Sequence, residues 1–314
     1  MISLHVFRHV LLVAAVVAGG RALGAEMAVK VPPPVPGFPI GRCVLVLNIT
    51  SPEEAKTAGF DYLELNLPDL LPLSDEEFGK VVKRLHGIGI PLVSAYGFMP
   101  ADLKLVGPGV DQGKVDAQLR RGLDRAKQIG VGMVVHGNLI AGARSAPEGF
   151  SKAEARKQFV DFCRRAAREG EARGITILIQ PMGPSATNMI NTVAEGLALV
   201  EEVNSPRLKL LVDFTTMIEA KEDFAILHKA ARHIGQIEIQ NPKGRIYPVS
   251  RDESDYVGFF RALKVGGYRG GFSVHGKPGE FWVNAPKALS LLRGLAMEEL
   301  VGPPATAAAV KPVR

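Results

Sequence analysis

Gly174-Ile175-Thr176-Ile177-Leu178-Ile179-Gln180-Pro181 leads through a helical stretch, Thr192–Val203, into Leu208-Lys209-Leu210-Leu211-Val212-Asp213-Phe214. The two apolar runs are short and nearly continuous rather than alternating, the pattern of strands buried on both faces. Two strands joined through a single helix lie parallel. Gly174, just ahead of the first run, has the position of a helix stop. One strand–helix–strand unit is therefore legible here, and it ends each strand on a polar residue, Gln180 and Asp213.

The same unit recurs in both directions. Strands are expected at Cys43–Ile49, Tyr62–Leu67, Pro91–Phe98, Met133–Gly137, Ile175–Pro181, Leu208–Phe214, Gln236–Asn241 and Gly271–His275. Helices are expected at Asp75–His86, Val115–Ile129, Lys152–Ala172, Thr192–Val203, Glu219–His233, Ser254–Leu263 and Ala285–Leu300. Ser51 with Glu54, Ser74 with Glu77 and Ser151 with Glu154 read as capping boxes. Gly59, Gly87, Gly130, Gly174 and Gly235 read as stops before the following strand. Eight such units over roughly 250 residues predict an α/β fold, a (β/α)8 barrel. The competing doubly wound sheet lacks support, because no Gly-rich nucleotide fingerprint follows an early strand and no GxxxxGK[ST] occurs.

Composition agrees. The chain has 314 residues, 46% hydrophobic and 22% charged, with 34 Gly and 22 Pro, which excludes collagen-like, coiled-coil and disulfide-scaffold classes. The net charge of +6 is spread along the chain. Its densest group, Arg164, Arg165, Arg168 and Arg173, is interleaved with Glu169 and Glu171, which is a solvated helix face and not a nucleic-acid stripe. Cys43 and Cys163 lie in apolar surroundings outside any CxxC pattern and read as buried structural thiols.

The ends differ in kind. His5, Arg8 and His9 precede the apolar run Val10 to Ala18, and small residues follow to Gly24 and Ala25, the order of a secretory signal. Residues 1–24 are expected to be that signal and the protein to be exported, periplasmic or extracellular. The alternative is a cytoplasmic protein starting at Met27. The apolar run is too short to span a bilayer. Residues 25–41 read as a Pro-rich leader, 42–300 as the barrel and 301–314 as a Pro/Ala-rich tail.

In a barrel of this kind chemistry collects at the C-terminal strand ends. The polar residues expected there include Asn48, Glu64, Asn66, Ser94, Tyr96, His136, Gln180, Asp213, Glu238, Gln240 and His275. A charged residue inside an apolar strand is costly unless it is paired or bound to a metal. Gln180, Asp213, Glu238 and His275, from the last four strands, suit a divalent ion with mixed N/O coordination: Mn, Mg, Co or Zn. The alternative is that Asp213 and Glu238 are hydrogen-bonded or ion-paired in the barrel mouth. Arg245 and Lys277, on loops after the last two strands, are either clamps for substrate oxygens or exposed loop cations. Glu64 and His136 are further substrate-binding candidates. His86, His228 and His233 lie on helices and read as packing or surface residues.

Taken together, Gly59-Phe60-Asp61-Tyr62-Leu63-Glu64-Leu65, Val134-Val135-His136-Gly137, Ile177-Leu178-Ile179-Gln180-Pro181, Leu211-Val212-Asp213, Ile237-Glu238-Ile239 with Gly244-Arg245, and Phe272-Ser273-Val274-His275 resemble the sugar isomerase/epimerase group with xylose isomerase-like barrels. That group includes hydroxypyruvate isomerase, ketose 3-epimerases and a type IV endonuclease. The resemblance implies a metal held at the ends of strands five to eight by Glu, Asp, His or Gln, and Glu, with the two end glutamates moving protons. Asp213 agrees with this pattern, and Arg245 matches an Arg that holds substrate oxygens. Gln180 stands in place of the first Glu, Glu238 in place of His or Gln, and His275 in place of the last Glu. Thr216 and Ala186 replace a further His and Glu.

A glutamine cannot act as a general base. Proton transfer therefore falls to Glu238 or His275. The function expected is a divalent-metal-dependent isomerase, epimerase or lyase acting on a small sugar or polyhydroxy-carbonyl compound through an enediolate. The alternative is a non-catalytic sugar-binding barrel derived from such an enzyme. A possible homo-oligomer is compatible with either reading, and neither implies nucleic acid or membrane insertion. The endonuclease reading is poor, since two of the seven histidines, His5 and His9, lie in the expected signal segment.

Overall fold

Eight parallel strands close into a barrel in the order of the chain. They are β1 (Ile40–Val44), β2 (Tyr62–Asn66), β3 (Leu92–Tyr96), β4 (Met133–His136), β5 (Thr176–Ile179), β6 (Leu208–Asp213), β7 (Ile234–Ile239) and β8 (Phe272–Val274). Each pairs with the next, and β8 returns to β1. This is a computed structural model, and it describes residues 31–44, 52–276 and 281–302. The expected signal segment, Asn48, Ser51, Lys277 and residues 303–314 lie outside the described residues.

The alternation of side chains along each strand divides the apolar residues into two clusters. Tyr96, Val135, Leu178 and Leu211 form a small one, with Cys43 and Met133 against it. Their strand neighbours, among them Val134, Ile177, Ile179, Leu210 and Val212, belong to the large cluster shared with the helices. This is why the strands read as continuous apolar runs: both faces are dry, one toward the lumen and one toward the helical layer.

The helices are α1 (Pro52–Ala58), α2 (Asp75–Ile88), α3 (Gln112–Ile129), α4 (Lys152–Glu171), α5 (Val193–Val203), α6 (Phe214–Glu219), α7 (Leu227–Ala230), α8 (Tyr256–Val265) and α9 (Phe281–Leu295). Ser74 and Glu77 form a reciprocal capping box on α2, and Ser151 caps α4 through Glu154 N. Gly130 ends α3 in the left-handed region. Two of the expected stops are placed differently. Gly87 lies inside α2, which Gly89 ends at φ +67°. Gly235 lies in β7, where a Cβ would sit 2.5 Å from Leu178 Cδ2, so its smallness serves strand packing.

The single helix expected over Glu219–His233 is instead broken into α6, α7 and flanking 3-10 turns. The chain enters the barrel earlier than expected, with Val35 and Phe38 already buried. Arg164, Arg165 and Arg173 pair with Asp161, Asp116 and Asp124, so this face is internally neutralised. Among the described residues no helix is long and apolar enough to cross a membrane.

Candidate functional site

Strand register sets the site. Asp213 lies opposite Glu238, Glu238 opposite Ser273, and Cys43 opposite Glu64. Neighbours in register point to the same face, so the polar groups of five strands meet in the C-terminal half of the lumen. Gln180 follows β5 and His275 follows β8 directly.

Three of the four residues expected as ligands form a connected chain. Gln180 Nε2 donates to Glu238 Oε2 at 3.0 Å. Glu238 Oε1 is 3.4 Å from His275 Nε2. The chain then continues to a residue from the opposite side of the barrel, with His275 Nε2 3.5 Å from Glu64 Oε2. Ser273 Oγ donates to that same Glu64 oxygen at 2.6 Å. His275 is thus the bridge between a β5–β7 flank and a β1–β2 flank. Burial alone would lower its pKa, but the charges of Cys43 and Glu238 outweigh that and hold it well above the ordinary imidazole value.

Asp213 stands beside this chain with its oxygens already engaged. It is the N-cap of α6: Oδ1 accepts from Thr215 N at 2.8 Å and Thr216 N at 3.4 Å, and Oδ2 accepts from the Thr216 hydroxyl at 3.2 Å. Burial first, and then the charge of Glu238, push its pKa up to about 6. Thr216, at the position where the family resemblance anticipates a histidine, therefore holds the Asp213 carboxylate. Arg245 lies on a turn closed by the Asn241–Ile246 bridge, in the left-handed region at φ +50°. That conformation is uncommon for a non-glycine residue. Its guanidinium pairs with Glu219 at 2.7 Å and stands 3.9 Å from Asp213. It remains partly exposed, where a ligand's oxygens can meet it.

His136 is placed elsewhere. It is fully buried on the outer face of β4, edge-on to Phe159 and Phe162 of α4. Burial and the adjacent Arg144 push its pKa down to about 3. Period-two alternation explains this: Met133 and Val135 pack with the lumen cluster, so His136 faces the helices. Its part in the site is indirect. Arg144 Nη1 lies 3.3 Å from His136 Nδ1, and Arg144 Nη2 donates to the Gln180 carbonyl at 2.8 Å. Phe281 packs under the Arg42 guanidinium, 3.8 Å from its ring centre, while Trp282 is largely exposed.

Sequence reasoning missed Cys43, read there as a structural thiol. One atom each of Cys43, Glu64 and His275 lies within 4.8 Å of the others, close enough to share a metal ion. No local signal marks it, because parity and register are decided by the barrel. Glu64 demands a lumenal partner, and Cys43 is the neighbouring strand's inward residue in register.

The donors suit a divalent ion. Among the described residues Glu64 Oε1 and Gln180 Oε1 are buried without a hydrogen-bond partner, and His275 Nε2 meets its two carboxylates only at 3.4 and 3.5 Å. Buried polar atoms are rarely left so, and a bound ion is one of the few explanations. Carboxylate, imidazole, amide oxygen and thiolate are all established ligand types for such ions.

Comparison with known proteins places this geometry in context. The family profile described as a xylose isomerase-like TIM barrel matches residues 52–293. An L-ribulose 3-epimerase of Mesorhizobium japonicum is 26% identical over 220 residues, 68% of this chain and 70% of that protein. An L-ribulose 3-epimerase of Methylomonas sp. is 28% identical over 222 residues, 69% of this chain and 73% of that protein. The crystal structure of a D-allulose 3-epimerase from Methylomonas sp. superposes with a TM-score of 0.68 at 24% identity, covering 86% of this chain and all of that one.

Proposed function

Since the chain belongs to the xylose isomerase-like TIM-barrel family, we propose that it is a divalent-metal-dependent isomerase or epimerase acting on a small sugar, with a ketose as the first substrate class. The observation that carries this reading is the carboxylate–imidazole–carboxylate chain Glu238–His275–Glu64 in the barrel lumen. The names of the two related L-ribulose 3-epimerases support the choice of ketose.

A divalent ion held by His275 with Glu64 and its neighbours supplies, when bound, an electrophile that polarises the substrate's oxygens. The protein's own residues do the rest. Glu238 takes the proton from the carbon beside the carbonyl, and the C–H electron pair moves into the enediolate. Gln180 holds one Glu238 oxygen by its amide and thereby aims the other, Oε1, at the side of the site where His275 lies. Return of that proton by Glu238 to the adjacent carbon, with the hydroxyl proton passing between the two oxygens, gives the isomer; the epimer requires a proton from a second acid on the opposite face, balanced by the one that Glu238 keeps. Arg245 holds a distal substrate oxygen, kept in place by Glu219. Largely buried lumen walls, including Tyr96 and Leu211, exclude water from the reacting carbon.

The test is solvent exchange. Metal-loaded protein incubated with L-ribulose or D-allulose in heavy water is expected to place deuterium on the carbon beside the carbonyl. Glu238→Gln, which keeps the shape and the contact with Gln180, is expected to slow that exchange by at least about 10²-fold, the usual scale of a lost general base. Exchange at the wild-type rate in E238Q would remove Glu238 from the role. No exchange with any ketose, combined with saturable sugar binding, would favour a sugar-binding barrel without turnover. Gln180, an amide where the resemblance implies a base, is the one feature favouring that second reading.

A further inference from the structure

We propose that Cys43 is a metal ligand, and that Cys43, Glu64 and His275 form a thiolate–carboxylate–imidazole seat selecting a zinc-class ion, zinc or cobalt, over magnesium or manganese. This rests on the reading of the lumen as a metal site, and it assigns the ion to the β1–β2 flank. Glu238, Gln180 and Asp213 are then left to substrate and proton.

Four observations converge. The three ligand atoms lie within 4.8 Å of one another. Cys43 and Glu64 stand directly opposite in register on neighbouring strands, and His275 directly follows β8, the strand that pairs with β1 on its other side. Glu64 is fully buried, yet its Oε1 has no partner among the described residues. Its other oxygen is oriented by the Ser273 hydroxyl, an outer hydrogen bond of the kind that fixes a ligating carboxylate. A buried carboxylate with one oxygen unmet is costly, and a cation on that oxygen removes the cost.

The flank formed by Asp213 is less suited to the ion, because both Asp213 oxygens already cap α6. The second cysteine provides a contrast within the same chain. Cys163 is buried in α4 within the large apolar core. Among the described residues it belongs to no such cluster of metal-ligating groups. Sulfur ligation favours borderline and soft ions, whereas magnesium and manganese prefer all-oxygen or oxygen-rich surroundings. One thiolate in three ligands is therefore expected to shift the preference toward zinc and cobalt.

The experiment is cobalt substitution of the full chain, stripped with a chelator and titrated with Co²⁺. One cobalt per chain is expected, with a near-ultraviolet thiolate-to-cobalt charge-transfer band that zinc abolishes and excess magnesium or manganese does not. Cys43→Ser and Cys43→Ala are expected to lose the band completely and to bind zinc more than about tenfold more weakly, while Cys163→Ser keeps the band. Bound cobalt without a charge-transfer band in the wild type would overturn the proposal, even if the Cys43 variants fail to fold. So would a band that survives Cys43→Ser, or a chain that retains no divalent ion. The heavy-water exchange reads the catalytic role separately. A band without sugar exchange would sink the enzyme reading alone, and manganese-supported exchange without a band would sink the cysteine ligand alone.

Discussion

His136 and Glu238 both interrupt apolar strands with a titratable group, and their fates are opposite. Glu238 is one residue from its apolar neighbours Ile237 and Ile239, which face the helices, so its own side chain enters the lumen and meets Gln180 and His275. His136 has the other parity and is enclosed by Phe98, Phe159 and Phe162. Its consequence is for stability. The folded pKa near 3 lies below the ordinary 6.5, so the unfolded chain takes up a proton that the folded chain refuses. That stability is fully present above about pH 6.5 and is lost as pH falls toward 3, at about 1.4 kcal/mol per pH unit. Urea unfolding of wild type and His136→Gln at pH 7 and pH 5 is expected to show a smaller loss in the variant. Equal losses would mean that His136 is protonated in the folded state.

At the scale of elements, the connection after β4 is tied to the loop after β5 by one side chain. Arg144, fully buried, closes the 3-10 segment Asn138–Arg144 and donates to the carbonyls of Met189, Gln180 and Ile190. Its charge answers no carboxylate among these contacts. Its planar fork instead satisfies backbone acceptors from the far side of the β5 loop, a task that an ammonium group performs poorly. Arg144→Met would remove the side-chain donor to the Gln180 carbonyl, while Ile190 keeps Met182 N and Met189 keeps the Thr187 hydroxyl, and an orphaned buried acceptor costs on the order of 1–3 kcal/mol. A loss of about 1–3 kcal/mol in chemical denaturation is expected, with the Gln180 end of the site loosened as well. Full stability in the variant would mean that water replaces the guanidinium.

The whole barrel depends on joining its first and last elements. Arg293 of α9 reaches the Gly59 carbonyl at 2.8 Å and Asp61 Oδ1 at 2.7 Å, and also the Pro32 carbonyl. Asp61 in turn accepts from Ile40 N, the first residue of β1, at 2.7 Å. One guanidinium thus binds the last helix, the entry segment and the β1–β2 junction. Arg293→Met strands a largely buried Asp61 carboxylate, a change of the class that costs about 3–5 kcal/mol. A correspondingly lower urea midpoint with an unchanged slope is the expected result.

Much of this architecture was legible in the chain. The strand–helix order, the parallel sheet, the capping serines and the polar strand ends at Gln180, Asp213, Glu238 and His275 all follow from local patterns whose physics is local: period, propensity and capping. The broken helix after Asp213 was not: Lys221 enters the left-handed region and Asp223 caps a new turn, and neither residue type dictates such a break. The parity of each strand was not either. A continuous apolar run reads the same from both faces, so nothing in Val134-Val135-His136 says which side chain enters the lumen. Composition and pattern determined a closed eight-fold barrel with acidic and imidazole groups at one end. Barrel closure, a contact between residues more than two hundred positions apart, settled which of those groups touch. It brought β8 beside β1, and so placed Cys43 and Glu64 against His275 where no spacing in the sequence could announce them.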